Sequence, residues 1–418
     1  MNPHVRALYS FNGVSLVGGT IYGLYYGIFL YKHTFSLSVL ALDGLFGGFG
    51  TWAGYVLGVY CIRRYGYGTC IKLAFGLWAA VSFATALLAG HIAEWFILIA
   101  VIKALPAGLF AAVNDTIMLR EVAQGARRSF FQLDLAMEFI ATIVLPPLIG
   151  AMVRGSGGYP LAFAVAGCLY LAALCIPVRL PKPDVSLEPR EIVRIFRRPL
   201  YPQQAANRTL ASGFNQLNAF VLTILPFLLI KNELMIGTLT SVTAVVAAIA
   251  ALVVRRIRAH HALRLGFGAH GVRSIISLLF VCAWSAPFMA GWQLLCKLVT
   301  PLHDPVQQSM DIHNDSLILG RDLKRQALHL NLLNNTLLML GSTAAYSLFF
   351  VVTRSTGDNQ RLVLQGLVIT YAGWRLLSLA VSAWINRSAV ALTEGAPAPV
   401  RPVTALRMKL RPLLSAVL

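Results

Sequence analysis

"NDTIMLRE" runs from Asn114 to Glu121, and "NDSLILGRD" runs from Asn314 to Asp322, two hundred residues later. Each stretch opens on the same polar pair, continues through an apolar run and closes on a charged step. The correspondence extends in both directions. Upstream, "IKALP" with Lys103 and Pro106 matches "CKLVTP" with Lys297 and Pro301. Downstream, "RRSFFQLDLAMEF" matches "KRQALHLNLLNN", which sets Asp134 opposite Asn331 and Glu138 opposite Asn335. Three matches in the same order indicate a duplicated unit rather than a chance motif.

Composition says where such a unit resides. With 57% hydrophobic and 12% charged residues and a mean hydropathy of +0.69, the chain has too little polar surface to cover a water-soluble domain of its size. Apolar segments about 20 residues long, the length that crosses a bilayer as a helix, recur along nearly all of it. Twelve spans are predicted, near residues 10–31, 39–62, 71–90, 94–118, 131–153 and 158–178, then 211–230, 235–254, 265–286, 288–304, 328–352 and 362–384. The ninth and tenth are the hardest to separate, because of Arg273. The alternation of an outer-membrane barrel is absent. The first apolar run is too long for a cleavable signal and lacks a small-residue cleavage site, so it is expected to remain as a span.

The net charge of +19 raises the question of nucleic acid, and its distribution answers it. Arg63, Arg64, Arg120, Arg127, Arg128, the segment 190–198, Arg255–Arg258, Arg321–Arg325 and the tail from Arg387 fall on one side of the predicted topology. Only Lys32, Arg154, Lys231, Arg354 and Arg361 fall on the other. This asymmetry places both termini in the cytoplasm, most naturally across a bacterial inner membrane. No nucleic-acid partner is needed to explain the charge. The six cysteines lie in or beside spans with no CxxC pair, as small packing residues do.

The longest polar stretch, "RLPKPDVSLEPREIVRIFRRPLYPQQAANR", lies between the sixth and seventh spans, and its centre suits a short amphipathic surface helix. The expected organisation is an all-α polytopic membrane protein: a six-helix bundle over 1–180, a cytoplasmic central loop over 181–208, a second six-helix bundle over 209–386 and a basic cytoplasmic tail over 387–418.

Two such halves resemble the major facilitator superfamily of secondary transporters. "GVYCIRRYGYG" keeps Gly58, Arg64 and Gly66 of the loop between that family's second and third helices, with Arg63 where the acid would stand. "LREVAQGARRSFF" is similar to its connection after the fourth helix. "LPPLIGA" keeps Pro147 and Gly150 of its antiporter motif, with Pro146 and Ala151 in place of flanking glycines. The resemblance implies alternating access around a central cavity lined by the first and fourth helices of each half. That would bring Asn12, Ser15, Lys103, Asn215, Gln216, Asn218, Lys297, His303 and Asp304 near the solute.

Lys103 lies too deep to reach the headgroups, so it must either pair or bind. Two readings stand: Lys103 and Lys297 form a pseudosymmetric anion-binding pair, or each neutralises a carboxylate such as Glu138. Asn114, Asp115 and Arg120, with Asn314, Asp315 and Arg321, are gating candidates at the cytoplasmic ends of the fourth spans. In "PLHDPVQQSMDIHND" the lysine-to-asparagine distance is six residues longer than in the first repeat, which together with Pro301 and Pro305 predicts a broken or bulged tenth span. His303, Asp304, Met310 and His313 are an alternative transition-metal set, although their spacing matches no tight metal motif and a polar, hydrated helix end is the favoured reading. Asp134 and Glu138 stack one turn apart and have no titrating counterparts in the second half, which marks them as proton-coupling candidates. No Walker A sequence occurs and no cofactor or enzymatic activity is expected. The predicted function is secondary transport of a small polar solute, with an anionic group favoured and proton coupling. Transport of a metal or its chelate, or a non-transporting assembly factor or receptor, are the alternatives. The implied partners are the solute, protons and lipids, with a monomer as the default state.

Overall fold

The computed structural model describes residues 3–122, 124–155, 157–176, 180, 188–198, 201–254, 265, 268, 271–272, 274–278, 285–320, 323–355 and 360–393. Helices dominate these residues, with no strand among them. In order they are α1 (Pro3–Ile21), a π-helical turn (Tyr22–Tyr26), α2 (Gly27–Thr34), α3 (Leu37–Tyr65), α4 (Tyr67–Leu87), α5 (Ile92–Glu121), α6 (Gln124–Arg154) and α7 (Gly158–Leu174). After these come α8 (Pro189–Phe196), α9 (Tyr201–Ile230), α10 (Glu233–Val254), α11 (Ala286–Leu319), α12 (Leu323–Ser355) and α13 (Gln360–Thr393). The described residues between Leu265 and Leu278 are also helical.

Seven described helical segments are long and apolar enough to cross a membrane: Leu8–Thr34, Leu37–Tyr65, Tyr67–Leu87, Ala89–Arg120, Phe130–Arg154, Glu233–Val254 and Gln326–Ser355. Gly158–Leu174 is a shorter apolar helix. α9, α11 and α13, at 30, 34 and 34 residues, also have spanning length. Side chains such as Leu57, Ile140 and Leu252 are exposed on the outside, as the apolar faces of helices in lipid must be.

Two departures from the hydropathy reading matter for the site. α11 is one continuous helix through Pro301 and Pro305, so the expected break is not there. The extra residues lengthen the helix, to about 51 Å at 1.5 Å per residue. α9 begins at Tyr201 rather than near 211, taking in residues expected to be loop. Hydropathy missed this turn because Gln203, Gln204, Asn207 and Arg208 are polar, yet Gln204 and Asn207 are buried by neighbouring helices.

Glycine sets how closely the helices approach. A β-carbon at Gly54 would collide with the Leu105 carbonyl of α5, and one at Gly108 with the Thr51 carbonyl of α3. The two backbones therefore pack in direct contact, the use small residues have in membrane helices. Gly66 alone links α3 to α4, at φ 89°, a conformation that strains any residue with a β-carbon. The halves meet along two seams. On the first, Ser38 of α3 donates to Thr353 of α12 at 3.0 Å, and the Trp52 indole N–H donates to Thr336 at 3.1 Å. On the second, Gly237 of α10 packs on the Pro146 carbonyl of α6, and Ser241 donates to the Ile143 carbonyl at 2.7 Å.

Candidate functional site

Between these seams lie two cavities, of about 370 and 560 Å³, that share Gly19, Gly23, Trp78 and Thr223 as lining residues. They are two adjoining lobes that meet along α1 and the turn after it. A β-carbon at Gly19 or Gly23 would meet nothing within 4 Å, so the missing side chains leave room at the junction. The π-helical turn falls here too, and it directs Tyr22, Gly23 and Tyr26 into the first lobe. Such turns widen a helix by one residue and recur at functional sites.

The first lobe holds Asp43 of α3 and Lys103 of α5. The Lys103 ammonium donates to Asp43 Oδ2 at 2.7 Å and Oδ1 at 2.9 Å. It also sits 3.5 Å from the centre of the Tyr26 ring, whose hydroxyl donates to Asp43 at 3.3 Å. A cation held against a carboxylate and a ring face, away from water, is compensated on both sides. Glu138 was the example of a carboxylate that Lys103 could neutralise under the ion-pair reading, and the carboxylate beside it is Asp43. Asp43 comes from a glycine-rich span that reads from sequence as a packing surface.

The second lobe holds Glu138 of α6 with Lys297 and Gln293 of α11. Lys103 and Lys297 therefore line different lobes and do not flank one space as a symmetric pair. The continuity of α11 explains why. Lys103 precedes Asn114 by eleven residues and Lys297 precedes Asn314 by seventeen. With no bulge to absorb the difference, the position equivalent to Lys103 is 303. Asp134, one turn from Glu138, accepts from the Asn12 amide at 3.1 Å, and neither Asn12 nor Asp134 lines a lobe.

Beyond the lobes, toward the ends of α5 and α11, the repeated aspartates each accept from one of two adjacent asparagines of α12. Asp315 accepts from Arg208 of α9 at 2.5 Å and from Asn334 of α12 at 3.5 Å. Asp115 accepts from Asn335 of α12 at 3.4 Å and from Tyr55 of α3 at 3.3 Å. Gln204 of α9 donates to Asp311 at 3.2 Å. Asn314 is buried, and Asn114 Oδ1 is buried with no hydrogen-bond partner among the described residues. Arg120 was expected to pair with an acid at this step, but among the described residues its buried Nε and Nη1 have no hydrogen-bond partner. The cation that pairs with Asp315 is Arg208, which hydropathy had left in the loop.

Of the remaining candidates, Ser15 lines the second lobe, whereas Asn215 is exposed and lines neither. Gln216 accepts from the Tyr346 hydroxyl at 3.3 Å. Arg321, and the side chains of Asn218, His303, Asp304 and Met310, lie outside the described residues. His313 is half-buried. Among the described residues no three His, Cys, Asp or Glu side chains are grouped as a metal would require.

The sequence matches no family model and no curated relative. Solved structures are similar over nearly the whole chain. They include the human organic anion transporter MFSD10 (TM-score 0.62, 14% identity, 91% of this chain and 100% of that one). The proton:xylose symporter XylE is similar at TM-score 0.63 and 13% identity, over 90% of this chain and 95% of that one. The nucleoside transporter NupG is similar at TM-score 0.64 and 12% identity, over 92% and 99%. At such identities the likeness is one of fold, and the chain has the major facilitator fold.

Proposed function

We propose that this chain is a secondary active transporter that moves a small polar solute bearing an anionic group, coupled to protons, by alternating access of its two halves. The observation that carries the proposal is the Asp43–Lys103 ion pair on the wall of a cavity between the halves. A proton arriving on Asp43 removes the lysine's counter-charge, and the solute's anionic group takes its place. Loss of the solute returns Lys103 to Asp43 and expels the proton. Each step keeps the buried site close to neutral, which a low-dielectric cavity demands. The polar cluster around Asp115 and Asp315 is the inner latch in this scheme, with Asn114, Arg120 and Asn314 as its buried surroundings. Glu138 with Lys297, and Asp134 with Asn12, are further groups through which ionisation can bias the halves. The fold's recurrence in an organic anion transporter and a proton symporter supports the class of activity.

The test is uptake by the purified chain in liposomes with an acidic exterior. A labelled carboxylate should accumulate, and a protonophore should abolish the accumulation without preventing exchange between equal pools. Identical uptake with and without the gradient would overturn the coupling.

A further inference from the structure

We infer that the anionic solute of the proposed transport is an aromatic carboxylate, with its carboxylate at Lys103 and its ring against the aromatic wall of the first lobe. The inference rests on the transporter reading and adds the chemistry of the solute's body.

The wall consists of Tyr22, Trp78 and Tyr346, which are half-buried, backed by the buried Tyr26 and Tyr170. Trp78 and Tyr170 stack with centroids 5.3 Å apart and planes 15° from parallel, which holds the indole as a fixed platform. Tyr22 meets Tyr26 at 5.9 Å. These rings come from α4, α7, α12 and the π-helical turn, so the wall encloses the lobe from several directions.

The hydroxyl protons of Tyr22, Tyr26 and Tyr346 are already donated within the protein. Tyr22 donates to Thr85 at 3.2 Å, Tyr26 to Asp43 and Tyr346 to Gln216. Thr51 donates to its own helix at the Gly47 carbonyl. Among the described lining residues the charged feature is therefore the Asp43–Lys103 pair, set among ring faces. A polyhydroxylated solute such as a sugar or a nucleoside needs a separate hydrogen-bond partner for each hydroxyl it loses from water. A flat apolar body with one charged end needs what is present, and the lobe's volume is that of a small-molecule site.

The experiment is calorimetric titration of the purified full-length chain with benzoate, cyclohexanecarboxylate, benzyl alcohol, xylose and uridine. Benzoate should bind about tenfold more tightly than cyclohexanecarboxylate, the stacking advantage of a ring among rings, and benzyl alcohol should bind weakly or not at all. Trp78→Leu should bring the two carboxylates to equal affinity while both still bind. Equal affinities in the unmodified chain would overturn the aromatic inference and leave the transporter reading standing. Binding of xylose or uridine with no binding of either carboxylate would overturn both.

Discussion

Asn335 of α12 donates its side-chain amide to Asp115 of α5, across the boundary between the two halves of the chain, at 3.4 Å. Its neighbour Asn334 donates to Asp315 at 3.5 Å, within the second half. Successive helix residues point about 100° apart, so α12 lies between the two copies of the repeated motif and serves one aspartate with each side chain. Only the first of these bonds must break for the halves to separate. Asn335→Val should therefore open the inner side without unfolding the second half. A cysteine at Thr223, which lines both lobes, should react several-fold faster with a thiol reagent supplied from the Arg120 side in this variant. An unchanged rate would count against the latch.

The Arg208–Asp315 pair is buried, with side-chain exposures of 17% and 4%. Removing one partner of a buried pair strands the other, at a cost of about 3–5 kcal/mol. Arg208→Gln should lower the melting temperature markedly, and Arg208→Gln with Asp315→Asn should recover most of the loss. Thermal unfolding of the two variants decides whether the pair acts as a unit.

At the opposite end, Lys32 of α2 pairs with Glu233 of α10, and Tyr159 donates to Glu233 at 2.9 Å. Lys32 is 41% exposed, so the ion pair is worth at most about 1 kcal/mol. Lys32→Met should leave the melting temperature nearly unchanged yet speed labelling of the Thr223 cysteine from the Lys32 side. Slower labelling would assign Lys32 a role other than closure.

Gly23 occupies the junction of the two lobes with open space where a β-carbon would go. Gly23→Leu should therefore fold normally and weaken carboxylate binding by filling the cavity rather than by disturbing packing. Unchanged affinity with an unchanged melting temperature would place the solute elsewhere.

Glu138→Gln separates the two coupling candidates. Should Asp43 carry the proton, Glu138→Gln keeps gradient-driven accumulation and Asp43→Asn loses it while retaining exchange. The reverse pattern in liposome uptake would move the coupling to the second lobe.

The helical, membrane-spanning design was legible because hydropathy is a local property of the chain. Lys103 was legible as a residue that must pair or bind, since its depth follows from its place in the span. Its partner was not, because Asp43 reaches it by the contact of two helices packed through glycine. Arg208 was hidden by polar opening turns that only tertiary burial makes part of α9. Asn335 was noted for lacking a titrating proton, whereas its value in the fold is its amide donor. The π-helical turn has no signature in residue spacing. Lys297 was aligned with Lys103 by letters, and the continuity of α11 shifts the helical register beneath them.

The central claim is that solute anion and proton arrive together at the Asp43–Lys103 pair. Calorimetry of benzoate binding in buffers of different ionisation enthalpy counts the protons taken up on binding. Uptake should approach one proton per benzoate in the unmodified chain, and fall to none in Asp43→Asn with affinity retained. Binding without proton uptake in the unmodified chain, or the same uptake in Asp43→Asn, would contradict it.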